Sequence, residues 1–270
     1  MNMEIEESIK LDSKIKHRKW NDALAEAFAI LSAAEPGEVV CITGPSRVGK
    51  STLIKKLILM LIGKERAFSD SDFSCVVVEA ANTGPYGSFS TKAFTFRMLE
   101  AISHPIYSSN SEEESSFMQM KYNRLTEGEM RFALERSLKW RKTRYLFIDE
   151  AQHAKYAGKT NKAAYAVMDS WKCLAQEAGV VLVLVGAYPI LQIIGNSPHL
   201  IGRKHQVHFS RYQYFEDDMN EFASILSEFD ELICLDDSFH SLVDDFEFIY
   251  EGTFGCIGLL RSWLVRAGAV

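Results

Sequence analysis

Apolar residues along this chain recur at two different spacings. Trp20, Leu24, Ala27, Phe28 and Leu31 repeat every three or four positions, which predicts an amphipathic helix ending before Glu35-Pro36-Gly37. Val39–Thr43 is instead a short continuous run, and so are Cys75–Glu79, Tyr145–Glu150 and Val180–Val185. Runs of that kind suit parallel strands covered on both faces. Helical spacing returns between them, in segments reaching to about Gly63, from Thr91 to Ile102, from Thr126 to Arg141, from Ala163 to Glu177 and briefly over Ile190–Ile194. A last strand is expected at Gln206–Phe209. Thr126 reads as an N-cap, with Glu129 three residues on as its capping-box partner. The first 15 residues read as a mobile charged arm, and 103–116 as an exposed, flexible insertion. From Glu216 onward the pattern is helical and acidic. Strands alternating with helices predict an α/β fold, a parallel sheet flanked by helices, with a small helical appendage.

Between the first strand and its helix lies Gly44-Pro45-Ser46-Arg47-Val48-Gly49-Lys50-Ser51, followed by Thr52. It fits G-x-x-x-x-G-K-[ST] in full, in the strand–loop–helix setting which that motif requires. Gly44 and Gly49 allow a backbone to wrap a phosphate without a Cβ in the way. Successive N–H groups at a helix N-terminus then present partial positive charge to it. Lys50 has the reach for terminal phosphates, and the Ser51 hydroxyl can ligate Mg²⁺. A chance glycine turn is the plain alternative, against which both flanks weigh. The expectation is a P-loop NTPase that takes ATP and Mg²⁺ over Gly44–Thr52.

The third strand ends in Asp149-Glu150, at the strand end where open α/β sheets bind ligands. Asp149 suits a Mg²⁺ ion held through its water shell, and Glu150 suits the task of orienting and deprotonating an attacking water. An exposed acidic turn is the competing explanation. Nothing in the chain resembles a phosphoryl-acceptor site, so hydrolysis is expected. Asn82 can hydrogen-bond Glu150 and hold it off that water, or it can cap its own loop. The fourth strand ends in Gly186-Ala187-Tyr188, so no polar side chain stands where a γ-phosphate sensor is often found, unless Tyr188 substitutes. Arg203 and Arg211 flank the last strand. Arg203 is the better candidate for an arginine finger toward a neighbouring subunit, with a surface pair with Lys204 as the alternative.

Composition narrows the class. An apolar fraction of 47% over 270 residues allows a sizeable core. Five scattered cysteines form no CxxC pair, which argues against zinc or a disulfide framework and for a reducing, cytoplasmic setting. No signal-peptide pattern opens the sequence, and the longest apolar run, Leu57–Ile62, is too short to span a membrane. The net charge of −6 is unevenly spread. Tyr212–Leu260 holds 13 acidic residues and no Lys or Arg, whereas residues 1–211 hold 28 basic against 23 acidic. Such a split fits one face meeting a polyanion, or simply a solvated acidic helix. Two basic regions are candidates for DNA: Lys121–Arg144, with eight basic residues, and Lys155, Lys159 and Lys162 in a loop. A solvated helix face explains such clusters equally.

Taken together, the residues resemble an AAA+ ATPase of the TniB/TnsC transposition family, related to MuB-type target-selection regulators. The resemblance covers residues from about 15 to 268. It is carried by Gly44–Thr52, Leu146–Ala151, Val181–Ala187 and, most tellingly, the glycine turn and helix of Glu251–Ala267. Within that last stretch, Arg261 lies where a lid arginine could touch the nucleotide. The resemblance implies an N-terminal arm and helix at 1–35, an AAA+ nucleotide-binding domain at 36–211 and an acidic helical lid at 212–270. It further implies a homo-oligomer, ring or filament, assembled with ATP on double-stranded DNA. That polymer would recruit transposase and target-selection proteins, and hydrolysis would disassemble it. Two departures stand out: Ala187 at the strand-four tip, and little chain after the lid helix to contact a transposase. A second class stays open, a signalling or scaffold ATPase of STAND-like type that switches protein partners without DNA. Asp149-Glu-Ala-Gln-His153 is also similar to a helicase motor box, but the acidic helical stretch after it does not read as a second motor.

Overall fold

A computed structural model describes residues 17–67, 72–82, 87–105, 107, 124–195, 204–233 and 241–267. The chain divides into two compact units, one comprising Glu26–Thr43 and Ile54–Val207, the other Met1–Ala25, Gly44–Leu53 and His208–Val270. Among the described residues no helix is long and apolar enough to cross a membrane.

The first unit is organised by a parallel sheet of β1 (Val39–Thr43), β2 (Cys75–Glu79), β3 (Tyr145–Asp149), β4 (Val181–Gly186) and β5 (Lys204–His208), in the order β2-β3-β4-β1-β5. β1 and β4 are buried at every position, as central strands made of β-branched and aliphatic residues should be. Their register pairs Thr43 with Gly186, while Ile148 pairs with Leu184 and Asp149 with Glu79. The carboxyl ends of β1, β4, β3 and β2 therefore lie along one edge of the sheet.

Helices α1 (Arg18–Ala33), α2 (Lys50–Ile62), α3 (Thr91–Ala101), α4 (Glu127–Trp140), α5 (Asn161–Ala178) and α6 (Pro189–Gly195) alternate with the strands. One face of the sheet, with Val76, Val78, Leu146, Ile148, Leu182 and Leu184, joins a core with Phe94 and Met98 of α3. Met130, Leu134 and Leu138 of α4 enter the same core at i, i+4 and i+8, and Trp171 of α5 packs at 5.1 Å between ring centroids on Phe94. The capping box is present as expected: Thr126 N–H donates to Glu129 Oε2 at 2.8 Å, and Glu129 N–H donates to Thr126 Oγ1 at 3.3 Å. α5 ends on Gly179 in the left-handed region, whose N–H returns to carbonyls of the last turn.

Three expectations need correction. β2 is an edge strand whose burial alternates, and Val77 is 41% exposed. Its continuous apolar run reflects β propensity at an edge and not cover on both faces. The stretch after Asp149 is a 3₁₀ helix, Ala151–Ala157, so Lys155 sits on a helical turn while Lys159 precedes α5 and Lys162 lies in its first turn. The start of the expected 103–116 insertion folds back on α3, with His104 N–H donating to the Leu99 carbonyl and Tyr107 N–H to that of His104. Residue 106 and residues 108–116 lie outside the described residues, as do the first 15.

In the second unit, α7 (Glu216–Ile233), α8 (Phe246–Thr253) and α9 (Ile257–Ala267) close over Tyr212, Phe222, Leu226, Phe229, Tyr250 and Leu260. The acidic composition has a structural use at one point. Glu216, Asp217 and Asp218 occupy the first turn of α7, where the helix dipole favours negative charge. Buried Asp218 accepts from Gln213 N–H at 2.9 Å, Arg18 at 2.6 Å and Lys19 at 2.9 Å. Burial alone would raise its pKa, but these hydrogen bonds and cations hold it below the usual carboxylate range. Arg18 and Lys19 thus clamp the start of α1 to the start of α7. Beside them His17 is buried, with Nδ1 3.2 Å from the Tyr212 hydroxyl and its ring stacked on Phe209.

Burial lowers the His17 pKa from 6.5 to about 4. Between those values the unfolded chain takes up a proton that the folded chain refuses. Stability is therefore expected to fall as pH drops from 6.5 towards 4, by about 3 kcal/mol from this group. Denaturant midpoints at pH 7 and pH 4 for wild type and His17→Gln check it: the pH effect should be clearly smaller in the variant.

Candidate nucleotide site

The loop leaving β1 takes a conformation that its glycines permit. Gly49 has φ 110°, closed to other L residues without strain, and Arg47 at φ 60° also lies in the left-handed region. A Cβ on Gly44 would run into the Phe209 carbonyl. Val48 is buried and anchors the loop, while Ser46 and Arg47 face solvent. Lys50 opens α2 and is buried, and its ammonium donates back to the carbonyls of Gly44 at 3.1 Å and Pro45 at 2.8 Å. Ser51 follows, exposed in the first helical turn, and Thr52 is half-buried. The arrangement brings the loop backbone to a helix N-terminus with a cation folded over it, which suits a polyphosphate.

α9 rests directly on this loop. A Cβ on Gly258 would collide with the Arg47 carbonyl, so the helix and loop backbones meet without an intervening side chain. One turn later Ser262 Oγ accepts from the Arg47 guanidinium at 3.3 Å. Arg261 lies between these positions on α9, exposed. A groove of about 310 Å³ beside them is lined by Arg47, Thr253, Ser262, Trp263 and Arg266. The C-terminal part of the chain, otherwise without Lys or Arg after Arg211, thus places Arg261 and Arg266 on the helix that touches the loop.

The carboxylates belong to the sheet unit. Asp149 ends β3, and its Oδ1 accepts from the Glu150 N–H at 2.9 Å. Glu150 is left-handed, φ 52° and ψ 33°, and starts the 3₁₀ helix, with His153 N–H donating to its carbonyl at 3.0 Å. The Glu150 carboxylate accepts from Gln152 Nε2, and Gln152 Oε1 accepts from the Ala187 N–H at 3.0 Å. Gln152 was not singled out by the sequence, and it is the residue that holds Glu150 here in place of Asn82. Asn82 Oδ1 and Thr43 Oγ1 are buried with no hydrogen-bond partner, on loop and strand ends of the same sheet edge. Buried oxygens of that kind, at the sheet edge where β3 also ends, suit a hydrated cation or a phosphate-bound water.

The sequence profile of a family described as an AAA domain matches residues 34–194, well over half of the chain. The chain belongs to the AAA domain family. No curated protein matches it. Among solved structures, the AAA fold of this chain is similar to the Walker-type ATPase of Pyrococcus abyssi (14% identity, TM-score 0.60, covering 93% of this chain and 69% of that one). It is also similar to the Aeropyrum pernix ORC2 protein in its ADP form (17%, TM-score 0.53, 92% and 61%) and to Drosophila ORC bound to DNA (12%, TM-score 0.53, 98% and 59%). The chain thus spans about three fifths of the length of those two proteins, and at such identities the likeness establishes the fold.

Within this AAA domain fold the remaining expected residues are spread out. Tyr188 is exposed just past the tip of β4. Arg211 donates to the Phe254 carbonyl at 2.8 Å, inside its own unit. Arg203 lies outside the described residues. The close approach at Gly258 had no signal of its own in the sequence beyond its place in a glycine-containing turn and helix.

Because the Arg47 carbonyl cannot retreat without moving a left-handed residue, Gly258→Ala is expected to cost about 1–3 kcal/mol by overpacking. Urea denaturation of the variant against wild type reads this directly. An unchanged midpoint would mean that α9 does not bear on the loop.

Proposed function

We propose that this chain is a Mg²⁺-dependent ATPase that works as a DNA-binding regulator of transposition in the manner of the TniB/TnsC family, assembling with ATP on duplex DNA, engaging a transposase and disassembling on hydrolysis. The observation that carries the enzymatic part is a complete phosphate loop leaving the end of β1, in a sheet whose β3 ends at Asp149-Glu150. Backbone amides of Gly44–Ser51 and the Lys50 ammonium would hold the phosphates. Ser51 and Asp149 would hold Mg²⁺, which when bound neutralises and orients phosphate oxygens. Glu150 would orient a water and take its proton. Arg261, on the helix that rests on the loop, would extend the cationic lining, and Arg203 would reach a neighbouring subunit. Asn82, with its unpartnered oxygen, would complete the polar edge around that water. The proposed division is an N-terminal arm and helix at 1–35, the nucleotide-binding domain at 36–211 and the lid at 212–270.

Support for the DNA part comes from α4. Its outward face carries Phe132 and Trp140, 60% and 83% exposed, with Arg136 over the Phe132 ring at 5.4 Å and Lys139 beside Trp140. Basic and aromatic groups interleaved on one helical face suit a nucleic-acid backbone and its sugars. Lys155, Lys159 and Lys162 are exposed as well. The Drosophila ORC structure, which shares this fold, was solved bound to DNA.

With ATP and duplex DNA the protein is expected to form oligomers by light scattering. Glu150→Gln should slow ATP hydrolysis by about 10²–10⁴ and keep the oligomers assembled. A monomer under all nucleotide conditions would overturn the assembly reading. DNA affinity measured with ATP across a salt series should fall steeply, and Arg136→Ala and Lys139→Ala should each lessen the log–log slope by about 1. No binding at low salt would instead favour the partner-switching scaffold.

A further inference from the structure

We propose that Gln152 is the positioning residue for Glu150, tying its carboxylate to the backbone at the tip of β4. The inference rests on the ATPase reading for its catalytic meaning and on geometry for the link itself. The direction of the amide is decided by its neighbours. The Ala187 N–H can only donate, so the Gln152 atom facing it at 3.0 Å is Oε1, and the atom facing the Glu150 carboxylate is then Nε2, a donor. Both ends of one side-chain amide bond groups on the residues that directly follow two adjacent strands, β3 and β4. Gly186 makes room for this. A Cβ there would meet Gln152 Oε1 and approach the Ala151 N–H at 3.5 Å, so any side chain at 186 would evict the amide.

The link answers a question raised by Ala187. Its side chain cannot bond a phosphate or a carboxylate, yet its N–H is committed to Gln152 and through it to Glu150. The β4 tip thus acts on Glu150 through a bridging amide instead of a polar side chain of its own. Glu150 gains from such a tether because it stands half-buried at the left-handed start of the 3₁₀ helix, with its carboxylate accepting from Gln152. A shift of β4 relative to β3 would be transmitted to the carboxylate through two hydrogen bonds, and the carboxylate itself needs no contact with the moving strand.

Gln152→Met keeps the length of the side chain and removes both hydrogen bonds. In this variant and in Gly186→Ala, kcat for ATP hydrolysis should fall about 10-fold or more, while KM and the Kd for a fluorescent ATP analogue stay within about 3-fold. The Gln152→Ala/Gly186→Ala double variant should be no slower than Gln152→Ala alone, since both changes break the same link. Gln152→Glu, of the same shape but lacking the donor, should not rescue. An unchanged kcat in Gln152→Met, or losses that multiply in the double variant, would overturn the proposal. A second readout needs no turnover. Without nucleotide, Gly186→Ala should lower Tm in the wild-type background and much less in Gln152→Ala, where the collision is gone. If wild type hydrolyses no ATP but this Tm coupling appears, the link stands and the ATPase reading fails. If hydrolysis is normal and the coupling is absent, the link fails alone.

Discussion

Close backbone approach is the constraint on which the nucleotide-loop unit depends. At Gly44 the Phe209 carbonyl occupies the place of a Cβ, at Gly258 the Arg47 carbonyl does, and at Gly255 the Tyr212 carbonyl does. The three contacts join the loop, the chain around residues 209–212 and the start of α9 with no side chain between them. Backbone contacts of this kind tolerate little adjustment, because a displaced carbonyl drags its peptide plane and the dihedrals on either side. They also explain the composition of the turn before α9. Phe254 and Gly255 are both left-handed, and the Gly255 carbonyl accepts from Tyr212 N–H at 3.0 Å, so the chain must reverse within two residues to bring Gly258 onto the loop. Glycine geometry, together with the burial of Ile257 and Leu260, holds α9 where Arg47 can bond Ser262.

Charge works around that frame. Among the described acidic residues of Tyr212–Leu260, Asp218 is the buried one, and it meets both cations of α1, with Glu221 adding a looser contact to Arg18. Exposed pairs are worth little, but a carboxylate with a backbone donor and two cations is a well-satisfied group whose loss would leave partners unpaired. The cations of α9 follow the acidic run, and Arg266 lines the groove beside the loop. The same unit is therefore acidic along α7 and α8 and cationic on α9. α4, in the other unit, carries both signs of charge, with exposed Trp140 and Phe132 beside arginine and lysine.

How much of this could be read from the sequence depends on whether a feature is local. Thr126 and Glu129 are three residues apart, and their capping box forms as the spacing implies. The strand runs and the glycine-bounded loop are local as well, and β1 and β3 fall within a residue of their expected limits. What escaped was relational. Cys75–Glu79 has the composition of a covered strand, and only the strand order reveals that it is an edge with Val77 open. The 3₁₀ turn after Glu150 replaces an expected loop because the left-handed Glu150 redirects the chain, a dihedral that composition does not announce. Trp140 belongs to the helix predicted after Thr126, yet it lies two residues past Leu138 and so on the face of α4 away from the core stripe.

Gln152 shows the same lesson within the site. In sequence it is a polar residue two places after a catalytic candidate, and Gly186 is an ordinary strand end. Only the pairing of β3 with β4 puts them together, with the missing Cβ of one making space for the amide of the other. The absence of a polar residue at the tip of β4 and the presence of a glutamine after Glu150 are then one feature and not two. A polar side chain at 187 would act from β4 alone, whereas an amide anchored on the β3 side and bonded to β4 responds to both. In the proposed reading the polar role expected at the strand tip falls to Gln152, and glycine at 186 leaves the space for its amide.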